Sequence, residues 1–401
     1  MAVSSSAVRR IGAAERRARL AIRHHLAGTH RAQDPVQVAG DIAGLHATDA
    51  ATVFLSARAR LRDPTPGAIE HALYEERSLV RLLGMRRTMF VVSVELAPVV
   101  QASSTRALVP GERRRFVAQL EAAGIARDGE RWLRATEAAT IVALDARGEA
   151  TAAELSDDVP ALKEKFAVAQ DKPYGAIQGV CPRVLFLLSA AGQIARGRPR
   201  GTWTSSQYRW SPMASWVPGG LPELDADAAA VQLVRRWLRA FGPATRKDLK
   251  WWTGWTAALL GRALAEIEPV EVELDGGTAG LVLPGDEAPV AAPEPWVALL
   301  PSLDPAPMGY AERDWYLGEH RAPLFDRSGN IGPTVWSNGR IAGGWAQRKD
   351  GGEIAVRLLE DIGAEASAAV DAEAARLRDW IGDVRVTPRF RTPLERELSA
   401  S

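Results

Sequence analysis

Gly148-Glu149-Ala150-Thr151-Ala152-Ala153-Glu154-Leu155 returns 94 residues later as Gly242-Pro243-Ala244-Thr245-Arg246-Lys247-Asp248-Leu249, with Gly, Ala, Thr, an acid and Leu at matched positions. In each copy the acid follows the Thr by three residues. That is the spacing of a capping box, in which a hydroxyl and a carboxylate satisfy the first free N–H groups of a helix. An amphipathic stretch precedes each copy, at 130–147 and 227–241. After Thr245 the pattern predicts a short helix, a break at Thr253-Gly254 and a second helix through Leu260, Leu264 and Ile267. An alternating strand at 270–274 then turns at Asp275-Gly276-Gly277 and returns to Leu283. Helices followed by a hairpin are the plan of a winged helix-turn-helix unit. After Thr151 the order is looser: a helix through Leu185, Leu187 and Leu188, then a hairpin tip at Gly197-Arg198-Pro199-Arg200-Gly201. A repeat of this length points to tandem domains rather than to a solenoid.

Working outward, the first 110 residues fit a third copy. Helices are expected at 9–26 and 36–45, a third capped by Thr48 and running through 54–61, and a fourth at 66–76. A strand pair kinked at Gly84 then covers 79–92. Beyond Trp296 the texture changes. Asn338-Gly339 between apolar runs is a hairpin signal, a turn at 349–352 leads to a strand at 353–359, and a helix covers 365–380. The expected fold is α+β and mainly helical. It comprises three tandem winged helices at 1–115, 116–222 and 223–290, followed by a C-terminal antiparallel β-barrel-like domain at 291–401.

Composition narrows the class. The 401 residues are 46% hydrophobic and 25% charged, which excludes a disordered or fibrous chain. Mean hydropathy is −0.13, and no apolar run reaches the roughly 18 residues of a membrane span. Cys181 stands alone, so no internal disulfide and no cysteine-rich zinc site is expected. His24, His25 and His30 cluster without Cys or Glu at useful offsets, and neither a metal nor a cofactor is expected. Arg9, Arg10, Glu15, Arg16, Arg17 and Arg19 stand where a secretory signal needs an apolar core. A cytoplasmic, nucleoid-associated monomer is the expectation.

The net charge of +1 conceals strong segregation. Residues 1–62 hold ten arginines against four acids, 77–115 eight against two, and 172–222 six bases and no acid; 263–295 hold eight acids and no base. Such a chain can present a basic face to nucleic acid while staying nearly neutral. No P-loop, dinucleotide fingerprint or Gly-x-Ser-x-Gly elbow occurs in credible context.

Gly44-Leu45-His46-Ala47-Thr48-Asp49 with Leu55-Ser56-Ala57-Arg58, Gly84-Met85-Arg86-Arg87-Thr88, Ala240-Phe241-Gly242-Pro243-Ala244-Thr245, Trp251-Trp252-Thr253-Gly254 and 325–336 together resemble the AlkZ-like winged-helix DNA glycosylases. These bacterial enzymes excise alkylated or crosslinked bases. The resemblance implies three winged helices with a β-barrel, a double-stranded and damaged DNA partner, and a catalytic tripeptide of Gln–apolar–Gln or Gln–apolar–Asp. Here that tripeptide reads His46-Ala47-Thr48, with Asp49 one residue later. His46, Thr48 and Asp49 are therefore the catalytic candidates, and a non-catalytic winged-helix DNA binder, either a regulator or a damage binder, is the alternative.

A cationic N7-alkylpurine is already a good leaving group. What remains is to position water at the anomeric carbon and to stabilise an oxocarbenium-like transition state. A histidine titrating near 6.5 can hold or deprotonate that water, and a carboxylate can orient it or offset the cation. Thr48-Asp49 also reads simply as a helix N-cap followed by a first-turn acid. The expected setting is an electropositive concavity between the first winged helix and the β-domain, with His46 on its wall. For DNA contact the candidates are Arg58, Arg86 and Arg87 in the matched motifs, Arg196, Arg198 and Arg200 alternating along a wing, and Arg327 and Asn330 on a loop of the β-domain. Trp237, Trp251, Trp252 and Trp255 fall at helical spacing and are read as core.

Overall fold

The computed structural model describes residues 8–168, 176–350 and 352–400. Helices α1 (Ala13–Arg23) and α2 (Pro35–Asp41) lead into a short strand β1 (Leu45–His46). Asp34 caps α2, its carboxylate accepting the N–H groups of Val36 and Gln37. Then come α3 (Ala50–Arg58), α4 (Pro66–Glu70), and the hairpin β2 (Leu79–Leu83) and β3 (Met89–Ser93). Next are α5 (Ala97–Val100), α6 (Val109–Ala122), α7 (Gly129–Arg147), α8 (Ala152–Asp158), a hairpin β4 (Lys165–Val168) and β5 (Ala176–Gly179) that the sequence pattern does not signal, α9 (Val180–Ala190), β6 (Ile194–Pro199) and β7 (Tyr208–Pro212). The second copy of the repeat supplies α10 (Ala226–Phe241), α11 (Arg246–Thr253), α12 (Ala257–Ile267), β8 (Val270–Glu273) and β9 (Ala279–Val282). The C-terminal part holds β10 (Val297–Leu300), three single-turn helices α13 (Pro305–Met308), α14 (Asp314–Leu317) and α15 (Arg321–Leu324), β11 (Thr334–Ser337), β12 (Arg340–Gln347), β13 (Ile354–Leu358), α16 (Ala364–Ile381) and α17 (Pro393–Ala400).

Both repeated helix starts form complete capping boxes. Glu154 N–H donates to Thr151 Oγ1 while Thr151 N–H donates to the Glu154 carboxylate, and Thr245 and Asp248 exchange the same pair of bonds. The start of α3 differs from expectation. Asp49 rather than Thr48 is its cap, accepting the Ala51 N–H at 3.2 Å.

Strands β1-β3-β2-β6-β7 form one antiparallel sheet, joined where Arg81 of β2 faces Arg196 of β6. The hairpin expected to stand as a free wing of the second unit instead extends the sheet of the first. Every residue of β2 is buried, so its outer edge needed a partner strand, and β6 supplies one. The C-terminal strands β10-β11-β12-β13 form an open four-stranded sheet, not the expected barrel. Its outer strands β10 and β13 do not pair with each other. Helix α16 packs on β10 and β13, and α17 on β12, covering the sheet in place of closure. Its Asn338-Gly339 turn takes positive φ at both residues, as a tight hairpin requires.

The C-terminal sheet is tied to α3 by one row of polar contacts at four-residue spacing. Thr52 Oγ1 donates to Ser302 O at 2.7 Å, Ser56 Oγ to Asp304 Oδ2 at 2.6 Å, and Arg60 forms a two-pronged pair with both Asp304 oxygens at 2.7 and 2.8 Å. Both partners of that pair are 0% exposed. Removing one partner of such a pair leaves an uncompensated buried charge. Asp304→Ala is expected to lower unfolding free energy by about 3–5 kcal/mol, measured by urea denaturation; a loss below about 1 kcal/mol would refute this role.

Candidate active site

The loop at 46–49 is held by its neighbours before it can do anything. Gly44 adopts φ +105, where a Cβ would approach Val92 Cγ1 to 2.9 Å, so only glycine lets the chain turn from α2 onto β3. Leu45 and His46 then pair with Val91 and Phe90, and Ala47 N–H donates to Met89 O at 2.7 Å. His46 is 4% exposed, its ring 5.3 Å from that of Phe90. It lines a cavity of about 10 Å³ with Arg86, Phe90, Phe241, Trp252 and Met308. That volume holds about one water molecule; it does not hold a nucleobase. The Nδ1 atom has no hydrogen-bond partner. Burial, with Arg86 adding like charge, pushes the imidazole down to about 3. The expected histidine, titrating near 6.5 on the wall of an open concavity, is therefore not what the structure contains. His46 is a neutral imidazole behind the surface.

Asp49 is also buried, and both its oxygens are engaged. Oδ1 accepts from Ala51 N–H and Oδ2 from Arg389 N–H at 2.9 Å. Burial raises its pKa, opposed by these two bonds and by the charges of Arg389 and Arg81. A second cavity of about 10 Å³ separates Asp49 from Pro301, Trp345 and Val386 of the C-terminal part. Thr48 lies between the two buried groups; the residue is partly exposed, but its Oγ1 is sealed from solvent and has no hydrogen-bond partner.

The surroundings are cationic and aromatic. Arg81 is buried, donates Nη1–H to Ala47 O at 3.0 Å, and lies 4.7 Å from the Tyr208 ring centroid. Arg196 sits 5.4 Å from both Tyr208 and Trp210, held below the usual guanidinium range by burial and then by Arg81. Arg389 is exposed beside Asp49. Among the described residues, no carboxylate lies within ion-pair distance of Arg81, Arg196 or Arg389. Arg86 is likewise unpaired, its guanidinium 3.9 Å over Trp251, and burial with Arg313 nearby holds it at about 10. Trp251 is thus not a core residue like Trp237 and Trp252: it carries two guanidiniums, those of Arg86 and Arg313.

The remaining candidates are dispersed. Arg58 is buried in an ion pair with Glu373, whose second oxygen holds Arg376, and it faces no solvent. Arg87 pairs with Glu112. Arg198 bridges Glu70 and Glu75 at 2.9 and 3.0 Å, and Arg200 is exposed at the tip beyond β6. Arg327 is exposed in a turn closed by Asn330, whose N–H and Nδ2–H both donate to Asp326. The structure thus brings His46 to Arg86, and Asp49 to Arg389 and Arg81, with Arg196 beside Arg81. Arg81 was findable in sequence as a charge inside the apolar run Leu79–Leu83. Arg389 carries no local signal, because it lies 340 residues from the loop it meets.

Arginines without carboxylate partners stand among aromatic rings on a sheet that carries the 46–49 loop at its edge, Arg81 beneath the surface and Arg389 on it; positive charge interleaved with rings is what nucleic-acid-binding proteins use. The chain belongs to the AlkZ-like DNA glycosylase family, which matches it over residues 39–380. A curated relative, the interstrand DNA cross-link repair glycosylase of Streptomyces sahachiroi, is 28% identical over 220 residues, 52% of this chain. The match spans 57% of that relative's length. Among solved structures, the Streptomyces sahachiroi DNA glycosylase AlkZ superposes with a TM-score of 0.71 at 21% identity, covering 92% of this chain and 97% of that one. It shares the fold.

The buried histidine has a measurable consequence for stability. Its folded pKa of about 3 lies below the ordinary value near 6.5, so below about pH 6.5 the unfolded chain takes up a proton that the folded chain refuses. This contribution is fully present above about pH 6.5 and is lost as pH falls towards about 3. His46→Gln is expected to reduce the drop in unfolding free energy between about pH 7.5 and 5.0 by on the order of 2 kcal/mol, measured by urea titration at both pH values. An identical drop in both proteins would show that His46 is not buried as a neutral ring.

Proposed function

We propose that the protein is a cofactor-free DNA glycosylase that hydrolyses the glycosidic bond of alkylated bases of the cationic N7-alkylpurine type, or of crosslinked bases, in duplex DNA. The observation that carries this reading is the set of arginines without counter-ions, Arg81, Arg196 and Arg389, around the loop where the family's catalytic tripeptide falls. Arg389 and the partly exposed Arg196, with buried Arg81 adding to the field behind them, draw the phosphates flanking a lesion towards the loop. Thr48 Oγ1 is sealed from solvent and has no protein partner, so a water reaches it only when the loop opens; Asp49, one residue on, can offset charge developing on the sugar. The neutral His46 acts as a hydrogen-bonding group rather than as a base that cycles protons. The protein acts as a monomer at the nucleoid, with three winged-helix units at 1–115, 116–222 and 223–290 and the β-domain at 291–401.

One observation favours the second reading, a winged-helix DNA binder without catalysis. Both cavities beside the loop hold no more than about a water each, so a flipped base needs room that this conformation lacks.

Incubation with duplex containing N7-methylguanine, followed by alkali, distinguishes them. Strand breaks are expected from the wild type, reduced about a hundredfold to a thousandfold by Asp49→Asn or Thr48→Ala with duplex affinity nearly unchanged. Tight duplex binding with no breaks on alkylated or crosslinked substrate would make the protein a binder.

A further inference from the structure

Beyond Trp251, whose ring Arg86 and Arg313 share, a cavity of about 560 Å³ opens between α1, the start of α11, the turn between β8 and β9, and the segment at 311–315. Its volume is that of ligand-binding clefts, about 300–1,000 Å³. Two of its walls are arginines that the fold buries without neutralising. Arg16 is 8% exposed, its guanidinium 4.2 Å over the Trp315 ring, with no acceptor for Nε or Nη2. Arg313 is 6% exposed and lies 4.7 Å over Trp251 and 5.3 Å over Phe325. It donates Nε–H to Pro307 O, and its Nη2 has no acceptor. Among the described residues, no carboxylate lies within ion-pair distance of either. Lys247 and the exposed Arg321 stand at the rim.

The acids nearby are committed or peripheral. Asp248 is saturated by Thr245 N–H and Oγ1–H and by the N–H groups of Ala311 and Glu312. Glu312 pairs with Lys247, Asp275 accepts from Ala13 N–H and meets Arg10, and Asp314 is exposed. A guanidinium does not lose its proton in a protein, so the two buried charges persist. Stacked on aromatic rings, each keeps its charge uncancelled; Nε and Nη2 of Arg16 and Nη2 of Arg313 lie sealed beneath the surface without an acceptor, which leaves the Nη1 ends for an oxyanion.

We infer that this cavity is a phosphate-binding pocket in which Arg16 and Arg313 receive the oxygens of one phosphate group, with Lys247 and Arg321 at its mouth. The phosphate comes either from the DNA backbone or from free phosphate. Two arms of one experiment distinguish the sources, and neither depends on base excision. In the first, the full chain binds an undamaged duplex across a salt titration. Arg16→Gln, and separately the exposed pair Lys247→Gln with Arg321→Gln, are each expected to flatten the salt slope by about 0.9 for every phosphate left unneutralised. In the second, inorganic phosphate is added alone to the wild type and the same variants and thermal unfolding is followed. Stabilisation of the wild type that is absent in the variants, with an unchanged salt slope, identifies free phosphate as the occupant. The double rim variant removes only exposed side chains, so its result stands even if Arg16→Gln unfolds. An unchanged salt slope together with no phosphate-dependent stabilisation would overturn the inference.

Discussion

Asp304 accepts four hydrogen bonds without reaching solvent: from Ser56, twice from Arg60, and from Ala306 N–H. Moving a carboxylate and a guanidinium out of water costs several kcal/mol per ion, so such a pair persists only where the remaining donors and acceptors are satisfied. Here they nearly all are, and the geometry admits one register. Thr52, Ser56 and Arg60 occupy one face of α3 and its following turn, so the helix cannot slide or roll against the 302–306 segment. The loop at 46–49 runs straight into that helix through the Asp49 cap, and the second oxygen of Asp49 reaches Arg389. Its position is thus inherited from partners far along the chain, Asp304 and Arg389 among them.

The arginines fall into two populations with different physics. Arg58, Arg60 and Arg19 are buried with carboxylates and hold segments together. Arg16, Arg81, Arg86, Arg196 and Arg313 are backed instead by Trp or Tyr rings. A cation over a ring gains about 0.5–2 kcal/mol, which offsets part of the desolvation cost and leaves the positive charge uncancelled. The charge segregation in the sequence thus becomes local fields held in place before any anion arrives. Pre-arranged charge of this kind needs no reorganisation on binding.

Local signals reach far into this fold. Both capping boxes, the Asn338-Gly339 turn and the hairpin at 270–282 form where spacing predicts them, because each is decided by residues within a few positions. Long-range pairing is where the expectations fail. Nothing in 194–199 indicates that β6 adds to β2, since edge pairing depends on which edge is left open after folding. The expected closure of the last sheet fails for the same reason: the helix expected at 365–380 forms as α16, but nothing near it says that it folds onto β10 and β13. At the site, the tripeptide's place is legible while the depth of His46 is not, because the rings that bury it, Phe90, Phe241 and Trp252, come from three separate segments.

That burial changes how the departure from the family's tripeptide should be weighed. A surface histidine would differ from glutamine in charge near neutral pH and in its capacity to take a proton. His46 does neither, because desolvation and Arg86 keep the ring neutral down to about 3. What is left is a planar, neutral group with one nitrogen donor and one nitrogen acceptor, which is what a side-chain amide also offers. On the proposed reading the leaving base is already cationic, so the reaction needs water held in place and not a proton delivered. An imidazole forced to stay neutral meets that need in the same electrostatic terms as glutamine. The environment, more than the residue type, decides whether the exchange is conservative.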